Sequence, residues 1–112
     1  MGRLPRVKRG RKPRGFPSTV ELFGYKIRIY YCHTMPRGEA DAFGLSYLND
    51  KVIYISLDQP REEMERTLFH ELCHMLLFLS GHHFKISEED EEGIIRAFEH
   101  GFLQMYKRRS NK

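Results

Sequence analysis

The sequence predicts an α+β fold, in which a small antiparallel sheet of about three strands packs on a central helix. A C-terminal helix is expected to cover that central helix. Residues 20–57 contain stretches that alternate apolar and polar side chains, as half-buried strands do. Residues 61–79 and 87–105 instead repeat apolar side chains at helical spacing. With 112 residues, 40% of them hydrophobic, the chain is long enough for one core and too short for two.

Three stretches are typical of strands. In residues 20–31 the apolar Ile27 and Ile29 alternate with charged neighbours, which predicts one half-buried strand. Residues 42–48 and 51–57 are two further strands joined by Asn49-Asp50, a hairpin signal. Pro36 and Gly38 interrupt the intervening residues 32–41, so that stretch is expected to be a loop.

The central helix is predicted over residues 61–79, with Asp58 as its N-cap and Gly81 as its end. One apolar stripe should pack on the sheet, and His70 and His74 should face away from it. The stripe consists of Met64, Leu68, Leu72, Met75 and Leu79.

The C-terminal helix should begin at Ser87, with Asp90 in an acidic first turn. Its apolar residues are expected to lie against the histidine face of the central helix. They are Ile94, Ile95, Phe98, Phe102 and Met105.

Residues 1–18 form a basic segment that is expected to be disordered, ahead of a folded domain over residues 19–109. Residues 1–14 hold seven of the 19 basic side chains and no acid, whereas the rest of the chain is mildly acidic. Such a segment favours nucleic-acid binding through phosphate contacts or a solvated tail about equally. The residues proposed for nucleic-acid contact are Arg9, Arg11, Lys12 and Arg14.

The cysteines and the hydropathy pattern predict a soluble cytoplasmic protein. Cys32 and Cys73 are too few for a disulfide framework and are interpreted as reduced core thiols. There is no apolar segment typical of a signal peptide, and no apolar stretch approaches the length of about 18 residues that predicts a membrane span.

An H-E-x-x-H motif, His70-Glu71-Leu72-Cys73-His74, lies inside the central helix. Four-residue spacing brings both imidazoles to one face, where they can bind one metal ion. Glu71 is then positioned as general base for a water molecule. Two incidental histidines on a buried helix are the simpler alternative, but the spacing, the intervening glutamate and the apolar setting together favour a metal site.

A catalytic metal site of this type needs a third protein ligand. The metzincin pattern is excluded, because its glycine and histidine would fall at Leu77 and Ser80. His82 and His83 follow the end of the helix, which should carry them away from His70. The acidic first turn of the last helix is better placed. There Glu91 aligns with the apolar stripe and Glu92 lies about 100° from it, which favours Glu91 by the helical wheel.

The motif, preceded by Thr67-Leu68-Phe69 and a predicted hairpin, resembles small zinc-dependent metallopeptidase domains of the ImmA/IrrE-like and phage or mobile-element type, including the minigluzincins. Residues 92–104 are similar to the glutamate-bearing helix of the phage members, and the resemblance spans about residues 20–106. It implies that His70, His74 and Glu92 bind Zn²⁺, with Glu71 as the catalytic base of a peptidase that cuts a specific protein partner. The Glu-Ala-Asn signature of the longer members is absent, since Gly93-Ile94 follows Glu92.

Two other functions are compatible with these residues. One is a zinc-binding regulatory module without catalytic activity. The other is a DNA-associated protease of the SprT-like type, in which a histidine would be the third ligand. A glutamate beside the metal partly distinguishes a peptidase from the non-catalytic module, because hydrolysis needs a base there and a structural site does not.

Overall fold

The computed structural model describes residue 4 and residues 7–36 and 42–105, which fold as an α+β domain. Parts of the predicted tail, of the loop 32–41 and of the domain end at 106–109 lie outside these residues. The strands are β1 (Thr19–Leu22), β2 (Tyr25–Cys32), β3 (Gly44–Tyr47) and β4 (Val52–Ser56). The helices are α1 (Arg61–Leu79) and α2 (Glu88–Phe98), and α2 continues as a π-helical turn over Glu99–Leu103.

The described sheet has four strands, so the expectation of three is wrong. The predicted strand over residues 20–31 is in fact a hairpin, because Phe23 and Gly24 form a two-residue turn between β1 and β2. Both turn residues have positive φ, 52° and 81°, which matches the twist of a tight hairpin. Phe23 is an uncommon residue for that conformation, and this is why the sequence pattern did not show the turn.

The sheet is mixed rather than antiparallel, with strand order β1-β2-β4-β3. The β3–β4 hairpin is antiparallel, as predicted, whereas β2 and β4 run parallel. β4 lies between β2 and β3, which places β3 at one edge of the described sheet. All five residues of β4 are buried, as expected for a strand between two neighbours and covered on both faces.

Helix α1 spans Arg61–Leu79, as the sequence predicts, and packs against β3 and β4. Its N-cap is Pro60 instead of Asp58, because the Asp58 N–H donates to Ser56 Oγ and remains in the preceding turn. The helix ends before Gly81, whose φ of 89° suits glycine. The predicted stripe packs on the inner face of the sheet against Phe16, Ile27, Ile29, Tyr31, Ile53 and Ile55.

Residues 7–18 differ from the expected disordered tail, because they lie against the sheet. Gly10 N–H donates to the Tyr31 carbonyl at 2.8 Å, and His33 N–H donates to the Lys8 carbonyl at 2.9 Å. Phe16 is 5% exposed within the core, and Val7 packs on the outer face of the sheet. A few apolar residues spaced through a basic run are therefore enough to anchor it.

Helix α2 packs against α1, and Ser87 caps it by accepting a hydrogen bond from Asp90 N–H at 3.1 Å. Within α2 and the π-helical turn, Ile95 is the only apolar residue that is fully buried in the described structure. The rest of its predicted apolar stripe is exposed. These residues are Ile94, Phe98, Phe102 and Met105.

Among the described residues, neither helix has the length and apolar character that crossing a membrane requires.

We expect Phe16→Ala to lower the free energy of unfolding by about 3 kcal/mol or more, because it empties a buried aromatic site. Phe23→Ala is the matched control, since Phe23 is 62% exposed. Urea denaturation of both variants measures the difference. Equal stability of the two variants would mean that residues 7–18 behave as a tail after all.

Candidate metal centre

His70 and His74 project from one face of α1 and meet Glu92 of α2. The two Nε2 atoms are 3.2 Å apart. The carboxylate oxygens of Glu92 lie 2.8 Å from His74 Nε2 and 3.4 Å from His70 Nε2. One donor atom from each residue thus lies within 4.8 Å of the others, and the group could hold a metal ion.

These separations fit a tetrahedral metal site. Ligand atoms about 2.0–2.1 Å from a tetrahedral ion lie about 3.4 Å from one another. The two Nε2 atoms, 3.2 Å apart, are close to that separation, and each Nε2 has one of the two Glu92 oxygens at 2.8 or 3.4 Å. Two imidazoles and one carboxylate also leave a fourth position open, as catalytic sites do.

Each imidazole is held on its other side by a second carboxylate. His74 Nδ1 is 2.6 Å from Glu91 Oε2, and His70 Nδ1 is hydrogen-bonded to Glu99 Oε1. Each carboxylate accepts a hydrogen bond from Nδ1–H, so the Nε2 atoms are the nitrogens available to a metal. The two Nε2 atoms and the Glu92 carboxylate are then all electron-pair donors that face one another. A cation between them would provide the acceptor that they lack.

This arrangement distinguishes the two candidate third ligands. Both oxygens of Glu91 are engaged by imidazoles, His74 at 2.6 Å and His83 at 2.8 Å. Burial raises the pKa of Glu91, but hydrogen bonds from these two histidines outweigh it and leave the pKa below its usual range. Glu92 is the residue whose carboxylate faces the Nε2 atoms.

Glu99 is a site residue that the sequence reasoning missed. It follows Glu92 by seven residues, which is close to two helical turns and returns the side chain to the same face. The spacing of Glu92 and Glu99 is visible in the sequence. It predicts a contact with the histidines only once α2 is known to cross the histidine face of α1.

Glu71 lies between the metal group and the edge strand β3. Its Oε1 accepts a hydrogen bond from Ser46 Oγ at 2.5 Å. Burial raises the pKa of Glu71 above its usual value, although the Ser46 hydroxyl and the two imidazoles partly oppose the shift. A carboxylate with a raised pKa and a fixed orientation is suited to accept a proton from water.

The close approach of β3 to α1 depends on Gly44. A Cβ atom there would lie 2.5 Å from Thr67 Cγ2 and 3.1 Å from Glu71 Cγ. Both distances are shorter than ordinary contacts, so any larger residue would push β3 away from this side of α1. Glycine at this position allows Ser46 to reach Glu71.

A cleft of about 310 Å³ opens over the group. Gly44, Leu45 and Ser46 form one wall. The opposite side includes the metal group with Glu71, and also His83. Since β3 pairs with β4 alone in the described sheet, the strand along this cleft has a free edge.

The remaining candidates lie outside the metal group. Cys73 is buried, which raises the pKa of its thiol to about 11 and disfavours the thiolate that binds metals. His82 is exposed and bonds to Ser80 Oγ, and His100 is exposed.

The four basic residues proposed for nucleic-acid contact are exposed and do not line the cleft. The Arg9 guanidinium lies 3.9 Å from the ring centre of Tyr30, and Lys12 Nζ donates to the Phe16 carbonyl. The Arg14 carbonyl accepts a hydrogen bond from Arg61. Their contact with nucleic acid stays a prediction, as does that of Arg11.

Comparison of the chain with known protein families, with curated proteins and with solved structures found no match.

We expect Glu99→Ala to weaken binding of a divalent metal by about 10- to 100-fold, because His70 loses the acceptor that orients its ring. Zinc affinity measured by competition with a chelator tests this. Glu89→Ala is the matched control on the exposed side of α2. Equal affinities of the two variants would contradict an orienting role for Glu99.

Proposed function

We propose that this protein is a zinc-dependent, gluzincin-like peptidase that hydrolyses a peptide bond in a specific protein partner. The observation that carries the proposal is the position of Glu71. It lies beside a metal-competent group of two histidines and one glutamate, in an open cleft, and it is held by an edge strand. The resemblance of the motif and of residues 92–104 to phage and mobile-element peptidases supports a regulatory setting.

Zinc is the metal that suits this donor set. Imidazole nitrogens and a carboxylate oxygen with an open fourth position are the ligands of catalytic zinc sites. When bound, zinc would lower the pKa of water towards about 7 and polarise a peptide carbonyl.

Glu71 performs the proton transfers. Its carboxylate takes a proton from the attacking water as the water oxygen bonds to the carbonyl carbon. It then gives that proton to the leaving nitrogen as the carbon–nitrogen bond breaks, and the base is regenerated. The Ser46 hydrogen bond occupies Oε1 and leaves Oε2 as the oxygen that can face the water.

The free edge of β3 supplies a binding mode for the substrate. An extended peptide can add to an exposed strand through main-chain hydrogen bonds, with side chains directed into neighbouring pockets. Because β3 has only four residues, such pairing would cover a short stretch of substrate. A short edge beside a small cleft favours a narrow range of substrates over general protein digestion.

The buried base argues against a purely structural zinc site. Burial of Glu71 raises its pKa, so this carboxylate is costly to keep charged, and it is not one of the three residues whose donor atoms form the metal group. A site that only stabilised the fold would be served equally well by an apolar residue there. Proton transfer gives a reason for a carboxylate in that place.

We expect the purified protein to contain about one zinc ion per chain and His74→Ala to lose it, because a catalytic site needs three protein ligands. Elemental analysis of protein prepared without added metal measures this. Absence of bound zinc in the wild type, even after zinc is supplied, would refute the metal site.

We expect Glu71→Gln to retain zinc and to lower peptide hydrolysis by at least about 100-fold, because glutamine cannot accept the proton. Cleavage of a proteome-derived peptide library, followed by mass spectrometry, measures the activity and at the same time identifies the sequences that are cut. Glu63→Gln, on the exposed first turn of α1, is the matched control. If zinc is bound but Glu71→Gln and the wild type cleave equally, the protein is a zinc-binding module.

A further inference from the structure

His83 lies in the cleft without belonging to the metal group. It lines the same cavity as Glu71 and Glu92, whereas the atoms that could bind a metal come from His70, His74 and Glu92. Its side chain is 31% exposed, so it is accessible from the cleft yet largely surrounded by protein. The peptidase chemistry proposed above makes no use of this residue.

Glu91 holds the His83 ring in one orientation. His83 Nδ1 is 2.8 Å from Glu91 Oε1, and the other oxygen of the same carboxylate is bonded to His74 Nδ1. Glu91 is 3% exposed and has little freedom to move. Because an ionised carboxylate only accepts hydrogen bonds, His83 donates through Nδ1. Nε2 is then the ring nitrogen left to interact with a molecule in the cleft.

The backbone and two phenylalanine rings also position His83. The left-handed conformation of Gly81 ends α1 and starts the short 3₁₀ turn over His82–Phe84. The His83 ring centre is 5.8 Å from that of Phe78 and 5.1 Å from that of Phe84, in edge-to-face contacts. The imidazole is therefore fixed before a substrate arrives.

One carboxylate, that of Glu91, links a metal-group histidine to a cleft histidine. This bridge joins His83 to His74, and both side chains line the cleft in which a peptide carbonyl would be polarised. Negative charge develops on that carbonyl oxygen when water adds to its carbon. A fixed donor aimed at such a charge stabilises the transition state more than the substrate.

We propose that His83 is a second catalytic residue, whose Nε2–H donates a hydrogen bond to the scissile carbonyl oxygen as it becomes negative. In its imidazolium form His83 carries both protons, one directed to Glu91 and the other to the substrate. This inference rests on the proposed peptidase function. It assigns to His83 a role distinct from that of metal ligand.

Two substitutions of His83 distinguish the role of Nδ1 from that of Nε2. His83→Asn keeps a donor near the position of Nδ1 and thus preserves the partner of the buried Glu91, but it has no donor at the position of Nε2. His83→Gln extends an amide donor to about the position of Nε2.

We expect His83→Asn to retain zinc and lower kcat by about 100-fold or more with little change in KM, and His83→Gln to recover part of kcat. His82→Asn, at the exposed neighbour, is the control and should match the wild type.

Kinetics use the best peptide found in the library, and zinc content is measured for every variant. A His83→Asn variant that binds zinc and keeps the wild-type kcat overturns the proposal while leaving the peptidase function intact. A loss of zinc in both His83 variants also overturns it, because His83 would then support the metal group only.

A binding measurement tests His83 if the wild type hydrolyses no peptide, an outcome that would refute the peptidase function itself. Methylphosphonate, a tetrahedral oxyanion, is titrated into the zinc-loaded protein by calorimetry. We expect its dissociation constant to rise about tenfold in His83→Asn and to stay unchanged in His82→Asn, since a hydrogen bond to a charged group contributes about 1.5–3 kcal/mol. Equal binding by the wild type and His83→Asn, or no binding by the wild type, overturns the proposal.

Discussion

The contact between α1 and α2 depends on pairs of imidazoles and carboxylates more than on apolar packing. Within α2 and the π-helical turn, Ile95 is the only fully buried apolar residue in the described structure. Three glutamates from this segment, Glu91, Glu92 and Glu99, instead meet His70 and His74 of α1. Partly buried charges of this kind are favourable only when each has a partner. The histidines thus help to hold α2 in place, and the glutamates of α2 in turn hold the two imidazole rings.

This dependence links metal binding to folding. A cation between the two Nε2 atoms and Glu92 would join α1 to α2 directly, and its binding energy would add to the stability of the helix pair. Glu91 extends the link to His83 and so to the cleft wall. The same carboxylates thus position the histidines that could bind a metal, hold the second helix and orient a residue that faces the cleft.

The sheet contributes to the site through one strand. β4 and β2 form the buried centre, with α1 and Phe16 on the inner face and Val7 of the N-terminal segment on the outer face. β3 is left at the edge, where Gly44 allows contact with α1 and Ser46 reaches Glu71. A short edge strand thus lies beside Glu71 and borders the cleft over the metal group.

Local patterns in the sequence determined much of this structure. Helical spacing predicted α1 to the residue, Gly81 predicted its end, and the helical wheel placed His70 and His74 on the face away from the apolar stripe. The β3–β4 hairpin and the Ser87 cap were also readable, because each depends on residues close together in the chain.

Only the tertiary structure decided the features that join distant segments. The pairing of β2 with β4, the anchoring of residues 7–18 and the partners of Glu91 and Glu92 all depend on how separate elements meet. A helical wheel aligned Glu91 with the apolar stripe and so gave its burial, but it could not show that His74 and His83 would occupy both of its oxygens. Periodicity gives the direction of a side chain relative to its own helix, whereas a group of side chains that could bind a metal depends on the distance between two helices.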